Sequence, residues 1–160
     1  MENLKYKIND EKDRSEDTLM LWSMTLDMYG RFLLSQNRNK EALDCFSNAY
    51  TTFVEVNGKH HEQAVVLLNN LGTVSSIVGD LDKSVSYLKE AVDIGKAIPD
   101  NKVLGSLYVN LGQSFLLKKV FDEAEVACQE GKRLGRRFED KETEVEADEC
   151  LEQIKDFIKS

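Results

Sequence analysis

Apolar side chains recur along this chain at every third or fourth position, the spacing that lines up one side of a helix. Between about residues 16 and 34 they are Leu19, Trp22, Leu26, Tyr29 and Leu33, and Asn37 to Asn39 break the run. Ala42, Cys45, Phe46 and Ala49 mark a second helix over about 41 to 54, closed by Asn57-Gly58 as a stop compatible with left-handed backbone. A second pair follows over about 61–78 and 81–97, interrupted at Gly79-Asp80, where Asp80 is placed to cap the amides of the following helix. Pro99-Asp100-Asn101 precedes a third pair, about 102–117 and 121–138. A last stripe of Ala147, Cys150, Leu151, Ile154 and Phe157 is backed by Glu144, Glu146, Asp148, Glu149 and Glu152. One apolar face and one acidic face suit a terminal cap, which covers exposed core and keeps its outer side wet. No long stretch alternates apolar and polar residues strictly, so the pattern predicts an all-α chain without strands.

A glycine frame sits inside this periodicity. Tyr29-Gly30, Leu71-Gly72 and Leu111-Gly112 are separated by 42 and 40 residues, and each is followed seven residues later by a helix break. Twelve residues after each glycine stands a small residue: Ala42, Ser84 and Ala124. Such a period predicts stacked helical hairpins, with the glycines letting the two helices of each pair approach closely. Phe46, Leu88 and Cys128 are then expected to fill the space beside them. Cys128 is small for that task, so Phe115 or Phe121 is expected to compensate. The expected repeat domain is 15–160, with hairpins at about 16–57, 60–98 and 101–138 and a capping helix at about 141–158. Residues 1–14 read as a flexible lead-in or the remnant of a helix.

Composition narrows the function. A formal charge of −8 and a pI near 4.9 disfavour nucleic acid as a partner, because phosphates would meet a repelling average field. Within that field Lys118, Lys119, Lys132, Arg133, Arg136 and Arg137 gather around the third pair. They read first as solvated helix surface, and otherwise as candidates for contact with an acidic protein surface, anionic lipid, or the acidic last helix of the chain itself. No apolar run is long enough to span a bilayer. Cys45, Cys128 and Cys150 show no CxxC spacing and read as buried free thiols, with neither a disulfide framework nor a metal site. His60 and His61 are the only histidines and are adjacent; His60 reads as a turn-packing residue. With no HExxH, no Ser–His–acid set and no phosphate-cradling loop, the reading is a noncatalytic chain without cofactor.

The stretches Leu26-x-x-Tyr29-Gly30-x-x-Leu33…Ala42-x-x-x-Phe46-x-x-Ala49 and Leu68-x-x-Leu71-Gly72-x-x-Ser75…Ser84-x-x-x-Leu88-x-x-Ala91 resemble tetratricopeptide repeats. Tyr108-x-x-Leu111-Gly112-x-x-Phe115…Ala124-x-x-x-Cys128-x-x-Gly131 is the third copy. The resemblance implies a right-handed solenoid of three helical hairpins plus a C-terminal capping helix. Gly58-x-His60 followed by Leu68-Asn69-Asn70-Leu71-Gly72 is similar to the longer repeat of kinesin light chains, which implies a cytosolic cargo adaptor as an alternative. Over most of residues 16 to 140 the phrases DMYGRFLLSQNRNKEALDCFSNAY and LGTVSSIVGDLDKSVSYLKEAVDIGKAI resemble a mitochondrial branch of the family. That resemblance implies an inner-membrane protein, with transit and membrane segments ahead of this portion, that supports assembly or maintenance of respiratory complex III. The partners it implies are complex III subunits, with the Rieske iron–sulfur protein or its fragments foremost.

In tetratricopeptide arrays the first helices of successive hairpins line the concave face. Carried onto this chain, that face comprises Met24, Asp27, Met28 and Arg31; Val66, Asn69, Asn70 and Thr73; and Ser106, Val109, Asn110 and Gln113. Asn and Gln offer both a donor and an acceptor, so they can hold peptide backbone without reading its side chains. Asn70 and Asn110 occupy equivalent positions and are the expected clamp, unless they bridge neighbouring helices instead. Arg31 is the one basic group on this face, which disfavours a clamp for a terminal carboxylate.

Overall fold

A computed structural model describes residues 15–160; the expectation for residues 1–14 lies outside the described residues. Seven helices occupy the described chain: α1 Glu16–Ser35, α2 Asn39–Asn57, α3 Glu62–Ile77, α4 Leu81–Lys96, α5 Leu104–Leu117, α6 Phe121–Arg137 and α7 Lys141–Lys159. They form an all-α solenoid of three hairpins, α1–α2, α3–α4 and α5–α6, with α7 packed on α5 and α6 as a cap.

The repeat is geometric as well as textual. Asn37, Gly79 and Lys119, each seven residues past a frame glycine, all take positive φ values of 59°, 88° and 62°. At each turn the next residue closes the preceding helix with the same 2.9 Å bond: Arg38 N–H to Leu33 O, Asp80 N–H to Ser75 O and Val120 N–H to Phe115 O. This six-to-one bond satisfies a carbonyl that the helix end would otherwise leave open. Two of the three positions are not glycine, so the turn is imposed by the hairpin as a whole. Gly58 also has positive φ, 75°, but its ψ of 175° is outside the left-handed helical region expected from Asn57-Gly58. Start signals follow the sequence reading: Asp80 Oδ1 accepts from Lys83 N–H at 3.2 Å, and Ser15 and Asp140 cap α1 and α7 in the same way.

The frame glycines sit where the two helices of each hairpin touch. A Cβ built at Gly30 would lie 2.9 Å from Phe46 Cε1, and one at Gly72 would lie 2.5 Å from Leu88 Cγ. At Gly112 the obstructing atom is Cys128 Sγ. Phe46, Leu88 and Cys128 are essentially unexposed, and the small residues Ala42, Ser84 and Ala124 are buried beside them. Burial of each large apolar side chain contributes about 1.5–3 kcal/mol, so the interlocked pairs hold each hairpin together.

Hairpins are joined by buried polar contacts as well as apolar ones. Ser84 Oγ and Ser114 Oγ are 2.8 Å apart across α4 and α5, and Ser114 Oγ also lies 3.1 Å from its own helix carbonyl at Asn110. Tyr50 Oη donates to Glu90 at 3.3 Å between α2 and α4, where burial first and then the neighbouring carboxylate push the phenol pKa up to about 12.

The third hairpin corrects two expectations. Cys128 and Cys150 are not free thiols: they form a disulfide between α6 and α7 with Cα atoms 6.4 Å apart. No compensating bulk is needed at Cys128, because the α6 backbone itself approaches Gly112, with Ala124 O 3.1 Å and Cys128 N 3.2 Å from a Cβ built there. Phe115 lies under the Lys89 ammonium, 5.2 Å from its ring centre, and Phe121 stacks on Phe157 of the cap. Cys45 alone keeps a thiol and is half-buried; burial pushes its pKa up. The cap is also drawn in by small residues, since Gly105 meets Thr143 and Gly135 meets the backbone of Asp140 and Glu144.

Candidate functional site

The first helices α1, α3 and α5 lie side by side and present one face. Asn70 Nδ2 donates to Asp27 Oδ1 at 3.1 Å, tying α3 to α1, and Asn110 Nδ2 donates to Asn69 Oδ1 at 2.9 Å, tying α5 to α3. Arg31 Nε donates to the other oxygen of Asp27 at 3.1 Å, which orients that carboxylate. Asn70 and Asn110 therefore do bridge neighbouring helices. Each bridge uses one of two amide N–H groups, leaving the second N–H and the carbonyl oxygen for a peptide backbone.

The structure brings most of the expected residues onto this face. Met28 is 71% exposed and Arg31 is exposed, while Asn69, Asn70, Thr73, Asn110 and Gln113 are half-buried. Asp27 is nearly covered, in keeping with its two hydrogen-bonded partners. Val109 is a correction: it is fully buried, and a Cβ added at Gly131 would strike its Cγ2 at 2.6 Å. It packs the third hairpin and offers nothing to a ligand.

At the α1 end the face opens into a hollow of about 310 Å³ lined by Met20, Ser23, Met24, Asp27, Met28, Phe53, His61 and Gln63. Sequence reasoning did not single out Met20, Phe53 or His61 for it, although methionine at every fourth position of α1 was a legible signal. Methionine side chains are flexible and polarisable, so such a lining accepts apolar side chains of several shapes. His61, not His60, does the packing at this turn. Its Nδ1 accepts from Gln63 N–H at 3.0 Å and its ring meets Phe53 edge-on at 5.0 Å, although His61, like His60, is exposed.

α1 also presents Leu21 and Phe32, 65% and 53% exposed. Phe32 stands at the repeat position of Val74 and Ser114, which are buried where one hairpin stacks on the previous one. A second hollow, about 330 Å³ and chiefly apolar, lies on the opposite side over Tyr108, Leu111 and Phe115, flanked by Lys89, Asp122 and Glu123.

The basic cluster is largely consumed within the fold. Lys132 pairs with Asp148 and Arg136 with Glu144 of the cap, Arg133 with Glu130, and Lys118 with Asp82. Among the described residues no group of three or more His, Cys, Asp or Glu side chains is arranged to hold a metal ion. No described helix is long and apolar enough to cross a membrane. The described architecture is an array of helices that offers surfaces for contact.

The tetratricopeptide repeat family model matches residues 20–97, the first two hairpins. The chain is similar to tetratricopeptide-repeat proteins over this stretch. It is homologous to the Drosophila melanogaster tetratricopeptide repeat protein 19 homolog, mitochondrial, being 28% identical over 93% of this chain and 40% of the relative. The human tetratricopeptide repeat protein 19, mitochondrial, is 25% identical over 98% of this chain and 42% of its own length. The chain thus spans about two fifths of these curated relatives. Among solved structures, BtubC (BKLC) from P. vanneervenii has the same fold, with a TM-score of 0.76 at 16% identity over 99% of this chain and 65% of that one. The repeat relationship explains why the third hairpin, with its Cys128 in place of a large residue, keeps the turn geometry of the first two.

Proposed function

We propose that this protein is a noncatalytic scaffold that holds protein segments on its α1–α3–α5 face, at the mitochondrial inner membrane, in support of complex III assembly or maintenance. The segments are parts of complex III subunits, with fragments of the Rieske iron–sulfur protein as the leading candidates. The reading is supported by similarity to relatives named as mitochondrial and by the resemblance of residues 16 to 140 to the complex III-associated branch.

One observation carries the binding mode. Asn70 and Asn110, equivalent in the repeat, are each anchored to the preceding hairpin through one N–H, and the partner of Asn70, Asp27, lines the methionine hollow. Anchoring removes rotamer freedom before a ligand arrives, so less entropy is lost on binding. Asp27, Met28, Arg31, Asn69, Thr73 and Gln113 complete the surface, giving a groove with mixed polar and apolar contacts.

The test is affinity capture from mitochondria with the chain and with an Asn70→Ala/Asn110→Ala variant. Enrichment of complex III subunits by the parent and its loss in the double variant is expected. Enrichment of a different assembly in place of complex III would reject the partner, and unchanged capture by the variant would reject the asparagine contact.

A further inference from the structure

The Cys128–Cys150 bond plays no part in the binding face, yet it is the single covalent link among the described residues. We propose that it is a structural disulfide, made before the cap closes over it, and that this repeat domain works in an oxidising compartment. Three observations carry this.

The first is placement. The two Cα atoms are 6.4 Å apart, within the range a disulfide bridges without moving backbone, and the residues are 0% and 1% exposed. Cys45 stands apart in the first hairpin and keeps its thiol.

The second is volume. Cys128 occupies the position that Phe46 and Leu88 fill in the other hairpins, against the frame glycine. There the partner helix backbone itself comes close, with Ala124 O and Cys128 N 3.1 and 3.2 Å from a Cβ built at Gly112, so the small Cys128 fills the contact and carries its bond to Cys150 into the packed core. The bonded pair is thus part of the core and not an exposed regulatory switch.

The third is the weakness of the cap's other polar ties. Lys132–Asp148 and Arg136–Glu144 join α6 to α7 at the surface, where at least one partner of each is more than half exposed. Exposed pairs of this kind contribute little individually.

The chemistry balances through thiol–disulfide exchange. The thiolate of one cysteine attacks the disulfide of an oxidant and expels one of its sulfurs as thiolate, giving a mixed disulfide. The second cysteine thiolate then displaces the oxidant, which leaves carrying two electrons as a dithiol, its two sulfurs taking up through solvent the two protons that the cysteines release. Both sulfurs are enclosed in the folded chain, so exchange precedes docking of α7, and docking afterwards shields the bond from reductants. A glutathione-reduced compartment such as the cytosol leaves such a pair as thiols. On the mitochondrial reading proposed above, on which this last step rests, the domain then lies on the side of the inner membrane away from the reducing matrix.

Redox trapping of the full chain in its own cells tests this directly. Acid quenching, alkylation with N-ethylmaleimide, reduction, and labelling with a heavier maleimide precede mass spectrometry of the three cysteine peptides. The heavy label on Cys128 and Cys150 and the light label on Cys45 are expected; light label on the pair would overturn the proposal. In a Cys150→Ala chain Cys128 should switch to the light label, and a persistent heavy label would mean a different partner. With purified parent chain, dithiothreitol should reduce the bond at least about tenfold more slowly in buffer than in denaturing urea, and equal rates would contradict closure by the cap. These assays need no binding partner, so they fail or succeed independently of the complex III capture.

Discussion

Replacing Gly72 with alanine probes the packing on which the repeat depends. The added Cβ would lie 2.5, 2.9 and 3.2 Å from Cγ, Cδ2 and Cδ1 of Leu88, which is fully buried. Carbon atoms in good contact are about 3.5–4.0 Å apart, so either Leu88 leaves its rotamer or α3 and α4 separate. Overpacking of this kind costs about 1–3 kcal/mol, and the upper half of that range applies because the obstructed atom is a branch carbon and not a flexible end. Alanine recovers up to about 1 kcal/mol of helix propensity relative to glycine. The net expectation is a loss of about 1–2 kcal/mol, or a fall in Tm of about 2–8 °C. Urea unfolding followed by circular dichroism measures it, within a cycle that includes Leu88→Ala. That substitution alone should cost about 2–5 kcal/mol. In the Leu88→Ala background, Gly72→Ala should become neutral or stabilising, since the obstacle is gone. A Gly72→Ala chain more stable than its parent, or equally damaged in both backgrounds, would refute the reasoning.

Asn70→Ala should lower stability by about 1 kcal/mol through loss of its bond to Asp27, with helix content by circular dichroism unchanged; a variant that loses helix would show that the bridge holds the fold and not only the face. Breaking the 22-residue crosslinked loop with Cys150→Ala should cost about 3 kcal/mol in nonreducing urea titrations, and a variant matching the parent would show that the cap is held by other contacts. Hydrogen bonds from the Thr143 hydroxyl, then its amide, hold the Asp140 carboxyl below its ordinary value of 3.8. A depressed folded-state value means that this cap stabilises α7 fully above that ordinary value and loses its effect as the pH falls through the lower folded one. Asp140→Asn should therefore flatten the acid limb of the stability profile below about pH 4, and an unchanged limb would contradict the assignment.

Much of the fold was legible because the repeat writes the same instruction three times. Gly30, Gly72 and Gly112 fixed the helix contacts, and the polar breaks seven residues on fixed the turns, even where the left-handed residue is Asn37 or Lys119. Asp80 was readable as a cap because its chemistry is local. The disulfide was not readable, because spacing along a helical chain does not tell which faces of α6 and α7 meet. Val109 failed for the same reason: the family register places it on the face, but the third hairpin closes over it through Gly131. The methionine hollow needs Phe53 and His61 from two other elements, so periodicity within α1 shows only one wall of it.

Site-specific photo-cross-linking tests the central claim most directly. A photoreactive residue is placed at Thr73, on the proposed binding face, or at the exposed Ser86 of α4, and the chain is illuminated in mitochondria. Crosslinks to complex III subunits from position 73 and none from position 86 are the expected result. Complex III crosslinks from position 86 alone, or an equal yield from both positions, would contradict a scaffold that binds through its first helices.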